Sequence, residues 1–159
     1  MASSGAAGDF VLSVDNNLQV EDIIIIDGAV DIDTDTMTVN ASLTGGGDVT
    51  ITNIGTAAIN AAITAVGIVH FDTGTGTISA GAEIETTGAG AAITVDVAPI
   101  TLTGDVTLTT NAGAITLDEV LDDGGAHTLT IDTGTATRDA IVLLNTLPTD
   151  IAGRALTAL

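Results

Sequence analysis

Apolar and polar residues alternate in short runs along most of the chain, and each run begins just after a glycine. Six of these glycines lie at positions 8, 28, 47, 67, 104 and 125. Because side chains alternate across a β-strand, the second and fourth residues after each glycine share one face. The fourth residue is always apolar, and with a further start at Ala80 this column comprises Leu12, Ile32, Ile51, Phe71, Ile84, Leu108 and Leu129. The pattern predicts strands with one buried face and one solvated face.

The intervals between the six glycines are 20, 19, 20, 37 and 21 residues by subtraction. We interpret the interval of 37 as two repeats, because the segment from Ala80 to Thr86 fits the missing start. The mean repeat from Gly8 to Gly125 is then 117 residues over six steps, or 19.5. This predicts an all-β fold, a single-stranded parallel β-helix (β-solenoid) of about seven coils of 19–20 residues. An antiparallel β-sandwich is the competing fold, but it does not predict columns that recur at this interval.

A second repeat has the pattern Asp-Thr-x-Thr-x-Thr. It begins at Asp33, Asp72 and Asp132, at intervals of 39 and 60 residues, which correspond to two and three coils. We expect the chain to turn a corner of the coil at each such segment and then to form a second short strand. The inward-facing residue pairs of these second strands would be Met37/Val39, Ile93/Val95 and Ile115/Leu117. Each coil is therefore expected to consist of two or three short strands joined by tight turns.

The repeat also defines the expected domain organisation. Residues 1–7 are expected to form an N-terminal tail or cap, and residues 8–140 the solenoid. Residues 141–159 are expected to supply a C-terminal strand and a capping segment. A short helix after Pro148, with Thr149 or Asp150 as its N-cap, would cover the open end of the solenoid.

The composition restricts the partners that such a fold could bind. The chain of 159 residues has 21 acidic and 2 basic residues, a net charge of −19, and no cysteine. A polyanion repels nucleic acid and anionic lipid, so neither is an expected partner. Membrane insertion is not expected, because no apolar run approaches the roughly 20 residues of a membrane span. The first residues also lack the pattern of a signal peptide.

Two segments carry a family resemblance. The sequences GDVTLTTNAGAITLDEV and GGAHTLTIDTGTAT resemble the repeats of filamentous-haemagglutinin-type exoproteins, and the similarity covers residues 8–140. The resemblance implies a right-handed parallel β-helix, bacterial secretion, and an extracellular or cell-surface role as a rigid stalk in adhesion. The family's signal peptide, N-terminal secretion domain and long repeat array have no counterpart in this sequence. The chain is therefore expected to be a fragment, or a small relative that gains length by stacking.

Three acidic residues, Asp31, Asp33 and Asp35, alternate on one predicted strand and are expected to point the same way. Carboxylates in a row repel one another unless they are screened or bind a cation, and calcium prefers oxygen ligands. An EF-hand loop would need glycine and glutamate where this chain has Thr36 and Ser42. The aspartates therefore remain candidates for a calcium site between neighbouring coils or subunits, with a solvated acidic face as the alternative.

The remaining candidates for chemistry are few. His70 is expected on the outer face and His127 in the second inward column, and both are interpreted as structural because a transition-metal site needs more ligands. Sugar-cleaving solenoids use acidic clusters in a groove lined with aromatic residues, and this chain has no Trp or Tyr. We therefore expect no catalytic residue, no bound cofactor and no enzymatic activity.

Three functions remain open. The first is a structural subunit of an extracellular fibre or surface layer that associates with itself end to end, because open solenoid ends expose unpaired strand edges. The second is a monomeric adhesin stalk that presents loops to an unidentified cell-surface or glycan partner. The third is an ice-binding rod with outward threonine rows at 34–38, 73–77 and 133–137. Such rows need stacking on consecutive coils, and the intervening coils carry Ile54, Thr56 and Ala58, or alanines, instead.

Overall fold

The computed structural model describes residues 8–22, 24–52, 55–72, 77–122, 124–125, 127–134, 141–143 and 157–158. These residues form an all-β parallel solenoid of about five turns, which confirms the predicted fold class. The strands, in chain order, are β1 Phe10–Val20, β2 Ile24–Ile26, β3 Val30–Val39, β4 Leu43–Gly45, β5 Val49–Thr52, β6 Thr56–Ile59, β7 Ile63–Ala65, β8 Val69–Asp72, β9 Thr77–Ala80, β10 Ile84–Ala89, β11 Ile93–Leu102, β12 Val106–Asn111, β13 Ile115–Asp122, β14 Leu129–Asp132, β15 Ile141–Leu143 and β16 Thr157–Ala158.

Each turn runs through three lanes of stacked parallel strands. Lane one contains the first halves of β1, β3, β11 and β13, together with β5, β8 and β15. Lane two contains the second halves of the same four long strands, together with β6 and β9. Lane three is a separate sheet of β2, β4, β7, β10, β12, β14 and β16. Lanes one and two form a single nine-stranded sheet, because the four long strands continue from one lane into the other.

The core lies between the lanes and consists of aligned columns of branched side chains. One column of lane one stacks Val30, Val49, Val69, Ile93 and Ile115 on successive coils, and all five are buried. Phe71, the largest fully buried side chain, lies in register between Ile51 and Val95. β-branched residues suit a pleated surface, and burial of each contributes about 1.5–3 kcal/mol. The aromatic-poor composition is therefore sufficient to form a continuous core.

The column of apolar fourth residues that the sequence predicts is correct for its first four members and wrong for its last three. Leu12, Ile32, Ile51 and Phe71 form one ladder in lane one, as predicted. The other members of that predicted column lie in lane three, namely Ile84, Leu108 and Leu129. Within lane three, Leu129 pairs with Val106 and not with Leu108. The interval of 37 residues therefore marks a change of lane and not two coils of one lane.

The physical reason for this error is that the coils lengthen along the chain. In lane one, the register partners Val49 and Val69 are 20 residues apart, whereas Val69 and Ile93 are 24 apart by subtraction. In addition, the sequence Gly-Asp-Val opens lane one at residues 47–49 and lane three at residues 104–106. A local pattern that is shared by two corners of the coil cannot distinguish one lane from the other.

The Asp-Thr repeat shows the same change of lane. Asp33 and Asp72 each lie in register with Thr52, so they are two coils apart in lane one, as the spacing predicted. Asp132, however, lies in β14 of lane three, in register with Thr109. The third copy of the repeat is therefore not equivalent to the first two.

The predicted second strand of each coil exists as lane two. Its inward side chains Met37 and Val39 are buried, as expected. The other two predicted pairs are also buried but lie in lane one, and these are Ile93/Val95 and Ile115/Leu117. The three pairs are therefore not equivalent positions of successive coils.

The two ends of the predicted organisation fall largely outside the described residues. This holds for the tail at 1–7 and for most of the segment in which a capping helix was expected. Of the C-terminal segment, β15 pairs with β13, and β16 pairs with β14. Residues 157–158, which the expected helix would have included, are thus a strand. No helix in the described part of the chain is long and apolar enough to cross a membrane.

Candidate functional site

The acidic row of Asp31, Asp33 and Asp35 lies on the outward face of β3, as the alternation predicted. The two residues between them, Ile32 and Thr34, are each 1% exposed and point into the core. Asp31 and Asp35 are exposed, and Asp33 is half-buried. The row is therefore accessible from solvent along its whole length.

No carboxylate is in register with Asp31 or Asp33, and beside Asp35 the bulge of β1 contains one carboxylate, that of Asp15. The register partners of Asp31 are Val11 and Thr50, and those of Asp33 are Ser13 and Thr52. Successive outward residues of one strand are about 6.6–6.8 Å apart, whereas calcium binds oxygen at about 2.3–2.6 Å. In the described part of the chain, no three His, Cys, Asp or Glu side chains could hold a metal ion together. Calcium at this row would need further ligands from outside the described residues, and a calcium site here stays a prediction.

The two histidines lie in different parts of the coil. His70 is half-buried on the outward face of lane one, in register with Thr50 and Thr94, as predicted for that face. His127 is half-buried and precedes β14, so it does not occupy the inward strand position that the sequence alignment gave it. The structure thus does not bring the two histidines together in one lane.

One residue of the predicted threonine rows points inward. Thr34 is buried, and its hydroxyl donates to the backbone carbonyl of Asn16 at 2.7 Å, with the carbonyl of Thr36 as a second acceptor within reach at 3.1 Å. The chain bends here between lanes one and two, which shifts the alternation by one residue, so that Thr36 and Thr38 face outward. The row 34–38 is therefore two outward threonines and one corner residue.

Buried threonines recur at a second corner. Thr86 of β10 and Thr110 of β12 lie in register in lane three, shortly before each strand ends. Each is at most 2% exposed. Thr86 donates to the carbonyl of Ala91 at 2.8 Å, and Thr110 donates to that of Gly113 at 2.7 Å. These hydroxyls satisfy backbone carbonyls where the chain leaves a strand, so their role is structural.

The outward side of lane two forms a surface that we call the lane-two face. Its described side chains belong to two columns in register, Asn17–Thr36–Thr56 and Gln19–Thr38–Ala58, and the backbone register of these columns continues to Thr77 and, through Ser79, to Thr101. Thr56 thus lies in register between Thr36 and Thr77 on consecutive coils, whereas Ala58 interrupts the second column, as expected for that coil. The residues of the first three coils line a shallow groove of about 400 Å³.

The lane-two face is uncharged in a strongly acidic chain. Neither column contains an ionisable side chain as far as Thr101, and the next coil is the first to bring an acidic residue, Glu119. The outward face of lane one, in contrast, carries Asp31, Asp33 and Asp72. Sequence reasoning missed this contrast, although residues 36–71 contain a single charged residue, Asp48.

The first coil has an incompletely covered core. The inward side chains of β1, which include Phe10, Leu12 and Leu18, are only partly buried. Their register partners on the next coil are at most 2% exposed, and these are Val30, Ile32 and Met37. Among the described residues β1 pairs with β3 alone. One edge of this 11-residue strand, and with it one end of the apolar ladders, is therefore not paired by any other strand that the structure describes.

Comparison with protein-family models, with curated proteins and with solved structures gives no significant match for this chain.

Proposed function

We propose that this protein is a structural subunit of an extracellular fibre or surface layer, which associates with itself by end-to-end stacking of solenoids. The observation that carries the proposal is the outer edge of β1, which no other described strand pairs and where Leu12 is half-buried while its partner Ile32 is 1% exposed. A parallel strand from a second copy would pair the free edge and cover these side chains. The resemblance to filamentous exoproteins supports the same assignment.

The size of the repeat unit follows from the coil count. We propose seven coils, which is supported by the pairing of β15 and β16 onto the strands before them. Seven coils stacked about 4.8 Å apart give a rod of roughly 34 Å. Subunits stacked head to tail would therefore produce a filament with an axial repeat near this length.

The test is negative-stain electron microscopy of the purified protein, with and without millimolar calcium. Wild-type protein is expected to form filaments, and Leu12→Lys should abolish them, because a lysine there places a charge in the stacked core. Ser13→Lys is the matched control, since Ser13 is the exposed outward neighbour on the same strand. Circular dichroism of both variants checks that each still folds. Dispersed wild-type particles in both conditions would refute stacking and favour the monomeric adhesin stalk.

A second candidate, ice binding, is favoured by one observation, the stacking of Thr36, Thr56 and Thr77 in register on consecutive coils. A flat, uncharged array of hydroxyl and methyl groups is what such a surface requires. Thr56→Lys should then abolish inhibition of ice recrystallisation, whereas Thr94→Lys in lane one should retain it. The absence of inhibition by the wild-type protein would eliminate this candidate.

A further inference from the structure

The corner between lanes two and three carries a ladder of amide side chains that ends on a carboxylate. The side-chain amide of Asn60 donates to the side-chain oxygen of Asn40 at 2.9 Å, and that of Asn40 donates to the carboxylate of Glu21 at 2.9 Å. Each step joins one coil to the coil before it, so Glu21 is the end of the ladder on the first coil. Glu21 is exposed, and among the described residues its carboxylate has Asn40 as its only partner.

The hydrogen bonds of this corner all run in one direction. The backbone amides of Asn40 and Asn60 donate to the carbonyls of Val20 and Val39, which also lie one coil earlier. Both kinds of amide therefore donate toward the first coil. An ionised carboxylate accepts hydrogen bonds at two oxygens and donates none, so Glu21 can accept more bonds but cannot continue the row of donors. A molecule that stacks on the first coil satisfies this end by presenting a donor to Glu21.

We propose that Glu21 gives the stacking of subunits its direction by accepting hydrogen bonds from Arg154 of a second copy. This inference rests on the proposed end-to-end assembly and names the contact that selects which two ends meet. The two basic residues of the chain are at positions 138 and 154 of 159, whereas residues 8–27 contain five acidic residues and no basic one. A guanidinium group only donates, and it pairs with a carboxylate through two parallel bonds. The N-terminal end is therefore complementary in charge to a C-terminal end and repels another N-terminal end.

The register of lane three selects Arg154 of the two arginines. One column of this lane runs from Ile24 of the first coil to Ala158 of the last, through Leu43, Ile63, Ile84, Leu108 and Ile131. A second copy that continues the column would place its own Ile24 next to Ala158. By count along the sequence, Glu21 stands three residues before Ile24, and Arg154 stands four residues before Ala158. Arg138 instead precedes β15, a strand of lane one.

Affinity and direction come from different parts of the first coil. The partly buried side chains Phe10, Leu12 and Leu18 gain burial from a second copy in either orientation, so they supply affinity. Complementary charge contributes mainly to the choice of partner and orientation. Glu21 is therefore expected to decide between a head-to-tail stack and a head-to-head pair.

Charge reversal at each end tests the pairing. Glu21→Arg and Arg154→Glu should each raise the critical concentration for filament assembly at least about tenfold, because like charges then meet where subunits join. Asp72→Arg and Arg138→Glu are the controls that change the net charge by the same amounts, and both should assemble as the wild type does. Sedimentation measures the critical concentration, and circular dichroism checks that each variant folds. Equal values for Glu21→Arg and Asp72→Arg would overturn the proposal.

Mixing the two defective variants gives a second test. Glu21→Arg and Arg154→Glu chains, each dispersed alone, should form filaments together at wild-type concentrations, because every contact in an alternating filament again pairs opposite charges. A mixture that stays dispersed would refute the pairing while wild-type filaments still supported stacking. Dispersed wild-type protein would instead refute end-to-end assembly itself, and this inference with it. Loss of assembly in Arg138→Glu but not in Arg154→Glu would also overturn the assignment.

Discussion

The carboxylate of Asp48 accepts a hydrogen bond from the backbone amide of Ile68, one coil further along, at 2.9 Å. A side chain on Gly67 would place its Cβ 1.9 Å from the same carboxylate oxygen. Asp9 and Asp105 make the same bond to Ala29 and Thr128 of their neighbouring coils. In two of these three cases a glycine, Gly28 or Gly67, precedes the bonded amide, whereas His127 precedes Thr128, so the aspartate bridge recurs and the glycine accompanies it only in the earlier coils.

This relationship predicts coupling between positions 48 and 67. Gly67→Ala should be strongly destabilising in the wild-type chain, because its methyl group overlaps the Asp48 carboxylate. The same change should cost less in an Asp48→Ala background, although Cβ would still lie 2.9 Å from the Asp48 backbone nitrogen. A double-mutant cycle of denaturant unfolding measures the coupling, expected at about 0.5–3 kcal/mol for residues in contact. Additive costs would contradict the assignment.

Backbone strain at Ala112 gives a second prediction. Ala112 has a φ of 62°, and residues 22 positions before and after it, Gly90 and Gly134, are glycines with φ of 75° and 65°. Left-handed backbone costs an L-residue about 1–2 kcal/mol, partly offset by the extra unfolded-state entropy of glycine, about 0.4–1 kcal/mol. Ala112→Gly should therefore raise the free energy of unfolding slightly.

Gly90→Ala is the matched reverse change, because a Cβ at Gly90 would meet no atom within 4 Å. It should lower the free energy of unfolding by a similar net amount, at most about 1 kcal/mol, because the cost of left-handed backbone is again partly offset by the lower unfolded-state entropy of alanine. Urea titration of both variants measures these effects. A change of the same sign in both would show that φ is not the cause.

The sequence was sufficient to predict the solenoid, because each strand carries its own alternation of buried and exposed residues. The ladder from Leu12 to Phe71 follows directly from that alternation and from coils of nearly constant length. The later lane assignment could not be predicted, because Gly-Asp-Val opens two different corners and the coil lengthens after Val69. Local chemistry identifies a strand and a turn, but only the pairing partner identifies the lane.

The acidic row and the lane-two face also differ in whether the sequence alone could predict them. The outward acidic row could be predicted because Asp31, Asp33 and Asp35 belong to one strand. The lane-two face could not, since it depends on the register between residues of different coils, such as Thr36 with Thr56. The bend at Thr34 also shifts the alternation by one residue, which strand periodicity alone does not anticipate.

Buried threonines give a third prediction. Thr110→Val keeps the shape of the side chain but removes the donor to the carbonyl of Gly113. Leaving a buried carbonyl without its partner costs about 1–3 kcal/mol, so the free energy of unfolding should fall by this amount. Thr110→Ser retains the hydroxyl, so this variant should keep the hydrogen bond to Gly113 and should not show the loss of unfolding free energy that comes from removing the donor. Thr107→Val, on the outward face of the same strand, is the control and should change stability by less than about 0.5 kcal/mol.

The net charge of −19 predicts that salt stabilises the fold. Folding concentrates the carboxylates, and raising the salt from about 0.01 M to about 1 M shortens the Debye length from about 30 Å to about 3 Å. The free energy of unfolding should therefore increase with NaCl, and the increase should be smaller when Asp31, Asp33 and Asp35 are all changed to Asn. Thermal or urea unfolding across the salt series provides the measurement, and a stability independent of NaCl would contradict it.

Calcium at equal ionic strength separates screening from binding in the same series. Screening depends on ionic strength alone, whereas stabilisation by a bound ion rises with the logarithm of that ion's own concentration above its Kd. The separation of the three carboxylates along β3 favours screening within a single chain, so CaCl₂ should match NaCl at protein concentrations where the chain is monomeric. Additional stabilisation by calcium that appears only as the protein concentration rises, and disappears in Asp33→Asn, would place the ion between two molecules. Additional stabilisation in the monomer would instead show that one chain binds the ion by itself and that the geometric argument is wrong.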